Sequence, residues 1–476
     1  MQQAVRPFHR PAAIALPILL AALAIRIIAA RGELWLDEIW SLHLIDQIKA
    51  GIVLPSLATD NNHYLNTLYL ALVGPDAPPL AQRALSIMLG TAAVAVAGWL
   101  QRPRGAVAMI AAMTLFALVF PLVDLGSEAR GYAGMSLAAL LSIAAAERAM
   151  ARRDGRSALL LGVMNVTGVL FQPLMLGMIG GQGIWALWVA WHDSHNIRTT
   201  YERVRDLFAW TVRLLIPVVV VIGIAVHFGG NGYALGGVQD FGPLRMLGGI
   251  ALNLRLVLGL PDATPNALVL VIALALIALA AALRRPQGDR RLSLYLAVMF
   301  AMPTAMFLAR LPNTDIPRYY LVSDICFLLL VADLCAELWA RGGGLRVLSP
   351  VLIVAMLIGN LVEAERLIRL GRGDVTHMLS VIAREGAGPI TSNADLRDRP
   401  VIKFFLNQLQ MQGPFVDFDD VCKTPPRWIL TSDLHSVLPD ETTIGGPDCS
   451  LTFKRVETYG FWGLSGFPWT LYRAEK

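Results

Sequence analysis

The chain has 476 residues, 55% of them hydrophobic and 16% charged, with a formal net charge of +5 and a mean hydropathy of +0.56. So little charge on so much apolar sequence excludes an ordinary soluble globular protein. The basic excess is no nucleic-acid footprint either, because most arginines stand in short stretches between apolar runs, where they encode orientation in a membrane.

Membrane lipids, and no nucleic acid, are therefore the expected surroundings. Met1–Arg10 is basic and Pro11–Ala30 apolar, with no small-residue cleavage site after a short core. That pattern predicts a retained first helix rather than a signal peptide. Further apolar runs long enough for spans follow at Ala81–Leu100, Gly105–Leu122, Tyr132–Met150, Leu159–Leu174, Leu176–Trp191, Trp210–Phe228, Pro265–Leu283, Leu292–Leu311, Tyr320–Ala340 and Val347–Val362. With the first run they predict a polytopic α-helical membrane protein of about eleven transmembrane helices.

Alternate connections differ in arginine density. Met1–Arg10, Gln101–Arg104, Ala151–Arg156, His192–Ala209, Arg284–Arg291 and Arg341–Arg346 each hold at least two arginines, which places them on the cytoplasmic side. The start is then cytoplasmic, and everything after Val362 lies outside. Residues 1–362 are expected to form the membrane domain, with an outer loop at 31–80. Residues 363–476 have the composition of a soluble domain and are expected to be a periplasmic α/β unit. Its short strands would include Trp428–Thr431 and Trp469–Arg473, beside a helix near Val401–Gln410. Gly229–Thr264 reads as a glycine-rich outer loop.

Four cysteines are present. Cys326 and Cys335 fall in an apolar run and read as packing residues. Cys422 and Cys449 can pair if the tail is periplasmic.

The first outer loop holds Glu33-Leu34-Trp35-Leu36-Asp37-Glu38-Ile39-Trp40-Ser41. Trp35, Leu36, Ile39, Trp40 and Leu42 would form an apolar stripe on an interfacial helix, with the tryptophans at the headgroups. Asp37 and Glu38 could supply a general base and a supporting or metal-binding group, or could simply solvate the helix. Asp60-Asn61-Asn62-His63-Tyr64 opens a second amphipathic stretch. His63 could ligate a metal, bond to substrate, or face water at a helix start.

Asp124-Leu125-Gly126-Ser127-Glu128-Ala129-Arg130-Gly131-Tyr132 lies at the outer junction of the third and fourth spans, and Ile316-Pro317-Arg318-Tyr319-Tyr320 opens a late one. The outer ends thus gather Arg26, Arg83, Asp124, Glu128, Arg130, Arg310, Arg318 and Asp324. Ionisable groups at membrane depth are costly and mark polar cavities. An anionic ligand would account for the arginines, since guanidinium matches phosphate with paired donors. Mutual salt bridging among Asp324, Arg310 and Arg318 is the plainer account.

Taken together, these four segments resemble the GT-C superfamily of membrane glycosyltransferases, in the branch of protein mannosyltransferases and aminoarabinose transferases (glycosyltransferase family 39-like). The Asp37-Glu38 pair matches that branch's first-loop acids. Asn62-His63-Tyr64-Leu65-Asn66-Thr67-Leu68-Tyr69 matches its His-Pro-Pro-Leu-Tyr-like element without the prolines. Glu128, Arg130 and Tyr132 match an acidic-x-Arg-x-Tyr element, and Arg318-Tyr319 a late Arg-Tyr element.

The resemblance implies a GT-C-like fold in a bacterial inner membrane and an inverting transfer from a polyprenyl-phosphate sugar to a hydroxyl on a lipid, glycan or protein. Asp37 would act as base, supported by Glu38 and Glu128. Arg130, Arg318 and Arg83, with Tyr319 and Tyr132, would hold the donor phosphate. The resemblance fixes no cofactor, and Glu38 and Glu128 could hold a divalent metal with His63. A flippase for lipid-linked sugars is the main alternative, and a glycan ligase or polymerase the second. A flippase needs charge along both faces, whereas the acidic motifs here all fall on one.

Overall fold

In the computed structural model, residues 9–230, 239–283, 290–411, 413–432, 439–446 and 449–475 are described. The stretches Met1–Arg10 and Arg284–Arg291 lie largely outside them. Helix α1 (His9–Ala29) leads into three short helices, α2 (Leu36–Lys49), α3 (Val53–Leu57) and α4 (Tyr64–Val73). Then come α5 (Pro79–Gln101), α6 (Ala106–Leu118), α7 (Phe120–Asp124), α8 (Tyr132–Arg152), α9 (Gly155–Phe171), α10 (Met175–Ser194) and α11 (Ile197–Phe228). The bundle closes with α12 (Pro243–Leu258), α13 (Asn266–Leu283), α14 (Arg291–Leu308), α15 (Leu321–Arg341) and α16 (Gly343–Leu370).

Each apolar run read from the sequence is helical over most of its length, and Gly105–Leu122 is broken at Val119. By length and composition, six of the described helices suffice to cross a membrane, or seven if a bent pair counts as one. α9 has only 17 residues, and α15 carries Asp324, Asp333, Glu337 and Arg341 within its length.

The bent pair is α6 with the stretch Phe120–Ser127, which meet at 63°. Val119 is extended (φ −66°, ψ 124°) and Pro121 follows in the first turn of α7. A break strands carbonyl and amide groups that lipid cannot satisfy. Arg26 answers it from α1. Its buried guanidinium donates to the carbonyls of Ala22, Ala117, Phe116 and Leu122 at 3.0, 3.2, 2.9 and 3.4 Å. Asn360 of α16 accepts the Phe120 amide at 2.6 Å. Arg26 is thereby occupied by backbone, and the expectation that it serves an anionic ligand is corrected.

The segment expected to be a glycine-rich loop contains α12, whose apolar positions pack onto α13 and α16. Gly249, within α12, permits close approach rather than a turn. A Cβ at Gly249 would stand 2.4 Å from the Thr314 carbonyl oxygen.

Beyond α16, the tail consists of α17 (Val375–Glu385), β1 (Ile390–Thr391), α18 (Asp395–Gln408), β2 (Trp428–Ser432), β3 (Glu441–Gly446), β4 (Cys449–Tyr459) and β5 (Trp469–Ala474). The sheet order is β1-β2-β5-β4-β3, with β1 and β2 parallel and the rest antiparallel. Strand alternation sends Trp428 and Leu430 to one face and Ile429 to the other. The first face packs with Trp469 and Leu471 against α17, α18 and α2. A Cys422–Cys449 disulfide with Cα atoms 5.8 Å apart ties a turn to the start of β4.

The α2 stripe therefore has a different neighbour from the one expected. Trp35, Leu36, Ile39 and Leu42 are buried in the core they share with the tail, not laid among headgroups. Glu33 reinforces the junction by accepting the Val375 and Thr376 amides at 2.8 and 2.9 Å, which caps α17 with a carboxylate.

Candidate active site

Successive side chains on a helix diverge by about 100°, and the Asp37-Glu38 pair at the start of α2 shows the consequence. Glu38 turns inward. Its Oε1 accepts from Arg83 Nε at 2.8 Å and from the Ala129 amide at 2.6 Å, and its Oε2 accepts from Arg83 Nη2 at 2.5 Å and the Trp35 amide at 3.1 Å. Burial alone would raise its pKa. The charge and hydrogen bonds of Arg83 outweigh that and hold the carboxyl below its usual range.

Arg83 gives its remaining donors to the carbonyls of Ala30, Gly32 and Glu33. A guanidinium has five N–H groups, and here each has a protein acceptor. Two sequence expectations are thus corrected: Glu38 is an internal anchor, its oxygens engaged by Arg83 and backbone amides rather than supporting Asp37 or a metal, and Arg83 has nothing left for a phosphate.

Asp37 turns the other way. Its Oδ2 lies 3.0 Å from Arg130 Nη2 and 3.5 Å from Arg318 Nη2, with the side chain 10% exposed. Its backbone carbonyl accepts from Ser41 Oγ and Asn61 Nδ2, both at 2.9 Å, which fixes the turn that carries it. Trp35 lies beneath both arginines, its ring 5.3 Å from the Arg130 guanidinium carbon and 5.5 Å from that of Arg318. Tyr132 covers Arg130 from another side at 4.9 Å.

His63, at the start of α4, orients Arg130 rather than a metal. Its Nδ1 lies 3.1 Å from the Phe171 carbonyl oxygen, which makes that nitrogen the donor, and its Nε2 accepts from Arg130 Nε at 3.0 Å. Burial, and then the Arg130 charge, push its pKa well below the usual value, so the imidazole is neutral. With the lone pair engaged, the expected metal role is corrected. No group of three or more His, Cys, Asp or Glu suited to a metal occurs among the described residues. The water-facing alternative fails as well, since His63 is fully buried.

The glycine after Arg130 allows this packing. A Cβ at Gly131 would stand 1.7 Å from the Phe171 carbonyl oxygen that His63 uses. Asn61 adds a third hold on Arg130, its Oδ1 accepting from Nη2 at 3.1 Å. Arg130 Nη1, in contrast, has no hydrogen-bond partner among the described residues.

Glu128 lies behind that nitrogen, its Oε2 3.8 Å away. It is fully buried, and neither carboxylate oxygen receives a hydrogen bond from the described residues. Burial raises its pKa to about 7, against the lowering effect of Arg372 and Arg130.

Arg318, just before α15, is 16% exposed and donates to the Leu464 carbonyl at 3.4 Å. Its Nε has no partner among the described residues. Tyr319 follows it, half-buried, its phenol pushed up to about 12 by burial. The plainer account of the outer charges does not hold for these groups. Asp324 accepts from Asn253 Nδ2 at 2.6 Å, while Arg318 faces Asp37.

Three contributors were not anticipated, and all come from the tail. Arg372 reaches Asp124 and Glu128. The Leu464 amide donates to Asp124 Oδ2 at 2.6 Å. Phe467 meets Trp35 edge-on, with ring centres 6.3 Å apart. Gly371 and Gly373 flanking Arg372, and Gly463 and Gly466 flanking Leu464, were the available signals. All four have positive φ.

The site is thus a cluster set against Trp35, with one carboxylate, Asp37, between two arginines that retain unused donors. It can bind an anion and accept a proton. No protein-family model matches the chain, and no curated protein matches it in sequence. Its fold is similar to that of ArnT from Cupriavidus metallidurans, solved in the apo state, with a TM-score of 0.54 and 11% identity over 97% of this chain and 98% of that one. The likeness covers bundle and tail alike, so the expected helical bundle followed by an α/β unit is found, with an ArnT-like fold.

Proposed function

We propose that the protein is an inverting glycosyltransferase that moves a sugar from a polyprenyl-phosphate carrier to a hydroxyl acceptor on the periplasmic face of a bacterial inner membrane. The observation that carries this reading is the Asp37 carboxylate, nearly buried, held between Arg130 and Arg318 over Trp35. The ArnT-like fold supports it, and so does the Cys422–Cys449 disulfide, which suits a tail facing an oxidising compartment.

Arg130 and Arg318 bind the donor phosphate with their unused N–H groups, and Tyr132 and Tyr319 flank it. The 3.5 Å contact between Arg318 and Asp37 is the weaker of the carboxylate's two ion pairs. A phosphate that draws Arg318 to itself therefore releases Asp37 to receive a proton. The acceptor oxygen attacks the anomeric carbon as its proton passes to Asp37, and the bond from that carbon to the phosphate oxygen breaks. Polyprenyl phosphate leaves with one more negative charge, which the two arginines stabilise. A single displacement inverts the anomeric configuration. The acceptor is a lipid, a glycan or a protein.

The test is transfer by the purified protein from a panel of synthetic polyprenyl-phosphate sugars, beside Asp37→Asn. Turnover by the wild type, with product of inverted configuration, and its loss in the folded variant are expected. Equal rates would remove Asp37 from the base role. Passage of the intact lipid-linked sugar across vesicles, with no bond cleaved, would instead establish a flippase.

A further inference from the structure

The tail does more than cover the pocket. Arg372, two residues beyond α16, runs back into the bundle and is only 3% exposed. Its Nη2 donates to Asp124 Oδ1 at 2.6 Å, to the Asp124 carbonyl at 3.0 Å and to Ser127 Oγ at 2.9 Å. Its Nη1 donates to the Ala29 carbonyl at 3.3 Å. Its Nε has no hydrogen-bond partner among the described residues and lies 3.5 Å from Glu128 Oε1.

Glu128 is thereby held between two guanidinium groups, Arg372 from the tail and Arg130 from the pocket, with no donor close enough to bond it. Buried carboxylates are ordinarily given donors, so a carboxylate left like this keeps both charge states within reach. Leu464 closes the circuit, because its amide binds Asp124 and its carbonyl binds Arg318. The contacts run without interruption from Asp37 through Arg130, Glu128, Arg372, Asp124, Leu464 and Arg318 back to Asp37.

We infer that Arg372 is a positioning residue of this site, acting through Glu128 to set how much uncompensated positive charge Arg130 presents to an anionic ligand. The inference rests on the transferase reading for its consequence in catalysis, but the Arg372–Glu128 link itself does not.

The groups facing Glu128 act in opposite senses. After burial, Arg372 has the largest influence and favours the ionised form, and Arg130 does the same. Asp124 on α7 and Glu38 on α2 favour the neutral form. With Glu128 neutral, Arg130 is balanced by Asp37 alone, which Arg318 shares, and the pocket holds surplus positive charge. With Glu128 ionised, that surplus is cancelled. Removing the Arg372 charge therefore leaves Glu128 protonated further up the pH scale.

The experiment is an infrared titration of the Glu128 carboxyl band in the full-length protein, assigned by difference from Glu128→Gln. The wild type is compared with Arg372→Gln, Arg372→Lys and the neutral pair Asp124→Asn/Arg372→Gln, which leaves no unpaired buried charge if the single variant is unstable. An opposite charge this close lowers a carboxyl pKa by about 1–3 units. The midpoint should rise by about that much in Arg372→Gln, less in the neutral pair, and little in Arg372→Lys.

A midpoint that stays in place in either folded charge-removing variant overturns the inference, and Arg372 is then only a structural tie. If the midpoint moves and the wild type transfers sugar, the basic limb of kcat/KM, where ionised Glu128 cancels the charge that holds the donor, should move up with it. A band that shifts in a protein that transfers no sugar from any polyprenyl-phosphate donor would refute the transferase reading and leave the link between tail and pocket standing.

Discussion

Both ends of the bundle carry buried or half-buried arginines and acids, and they arrange them differently. At the end away from the tail, Arg291 grips Glu147 with two bonds of 2.5 and 2.9 Å and the Leu100 carbonyl with a third. There Arg104 pairs with Asp333 at 3.4 Å, and Arg290 and Arg203 share Asp193. At the tail end, Arg83 and Glu38 are matched just as fully. Beside them, however, Arg130, Arg318 and Glu128 keep polar atoms that no described residue satisfies. Single unpaired atoms occur elsewhere, as at Arg203 Nε and Arg26 Nε, but at the tail end two arginines and a carboxylate with open atoms meet around Asp37, as a site for a ligand would.

The contrast can be broken most sharply at Asp37. Asp37→Asn preserves shape and removes the base, so turnover should fall about 10²–10⁴-fold while the thermal midpoint in detergent holds. Arg83→Gln should do the reverse. It strands a buried Glu38 and should cost about 3–5 kcal/mol of stability, read as a fall in the unfolding midpoint, with any loss of activity tracking the loss of folded protein. Arg318→Gln removes charge-assisted bonds worth about 1.5–3 kcal/mol, which corresponds to a rise of about 10- to 100-fold in KM for the donor.

A smaller effect concerns pH. Glu128 has a pKa raised by burial, so the folded state holds its proton where the unfolded chain has released it. Its contribution to stability is complete below about 4.5 and is lost as pH rises toward about 7. Glu128→Gln should flatten that part of the profile of thermal midpoint against pH. Smallest of all is Arg291→Gln at the far end. A partly exposed pair contributes up to about 1 kcal/mol, and donor KM should not change.

Much of this was legible in the sequence, because apolar runs and alternating strands are local signals. Trp428–Ser432 and Trp469–Ala474 lie where the alternation pointed. The gathering of Asp37, Glu128, Arg130 and Arg318 was legible too, from charges placed where membrane topology gives no reason for them. The division of labour between Asp37 and Glu38 was not, since it depends on Arg83, 45 residues away from Glu38. The break at Val119 was hidden inside an unbroken apolar run, with only Pro121 to mark it. Arg372 and Leu464 were out of reach because they enter the site from more than 240 residues beyond Asp124, and nothing local to them speaks of a pocket in the bundle.

The most direct test is a structure of the protein determined with polyprenyl phosphate bound. The phosphate should sit over Trp35 within hydrogen-bond reach of Arg130 and Arg318, with Arg318 drawn away from Asp37. A phosphate bound instead among the arginines of the far end, with the Asp37 pocket unchanged, would contradict the account.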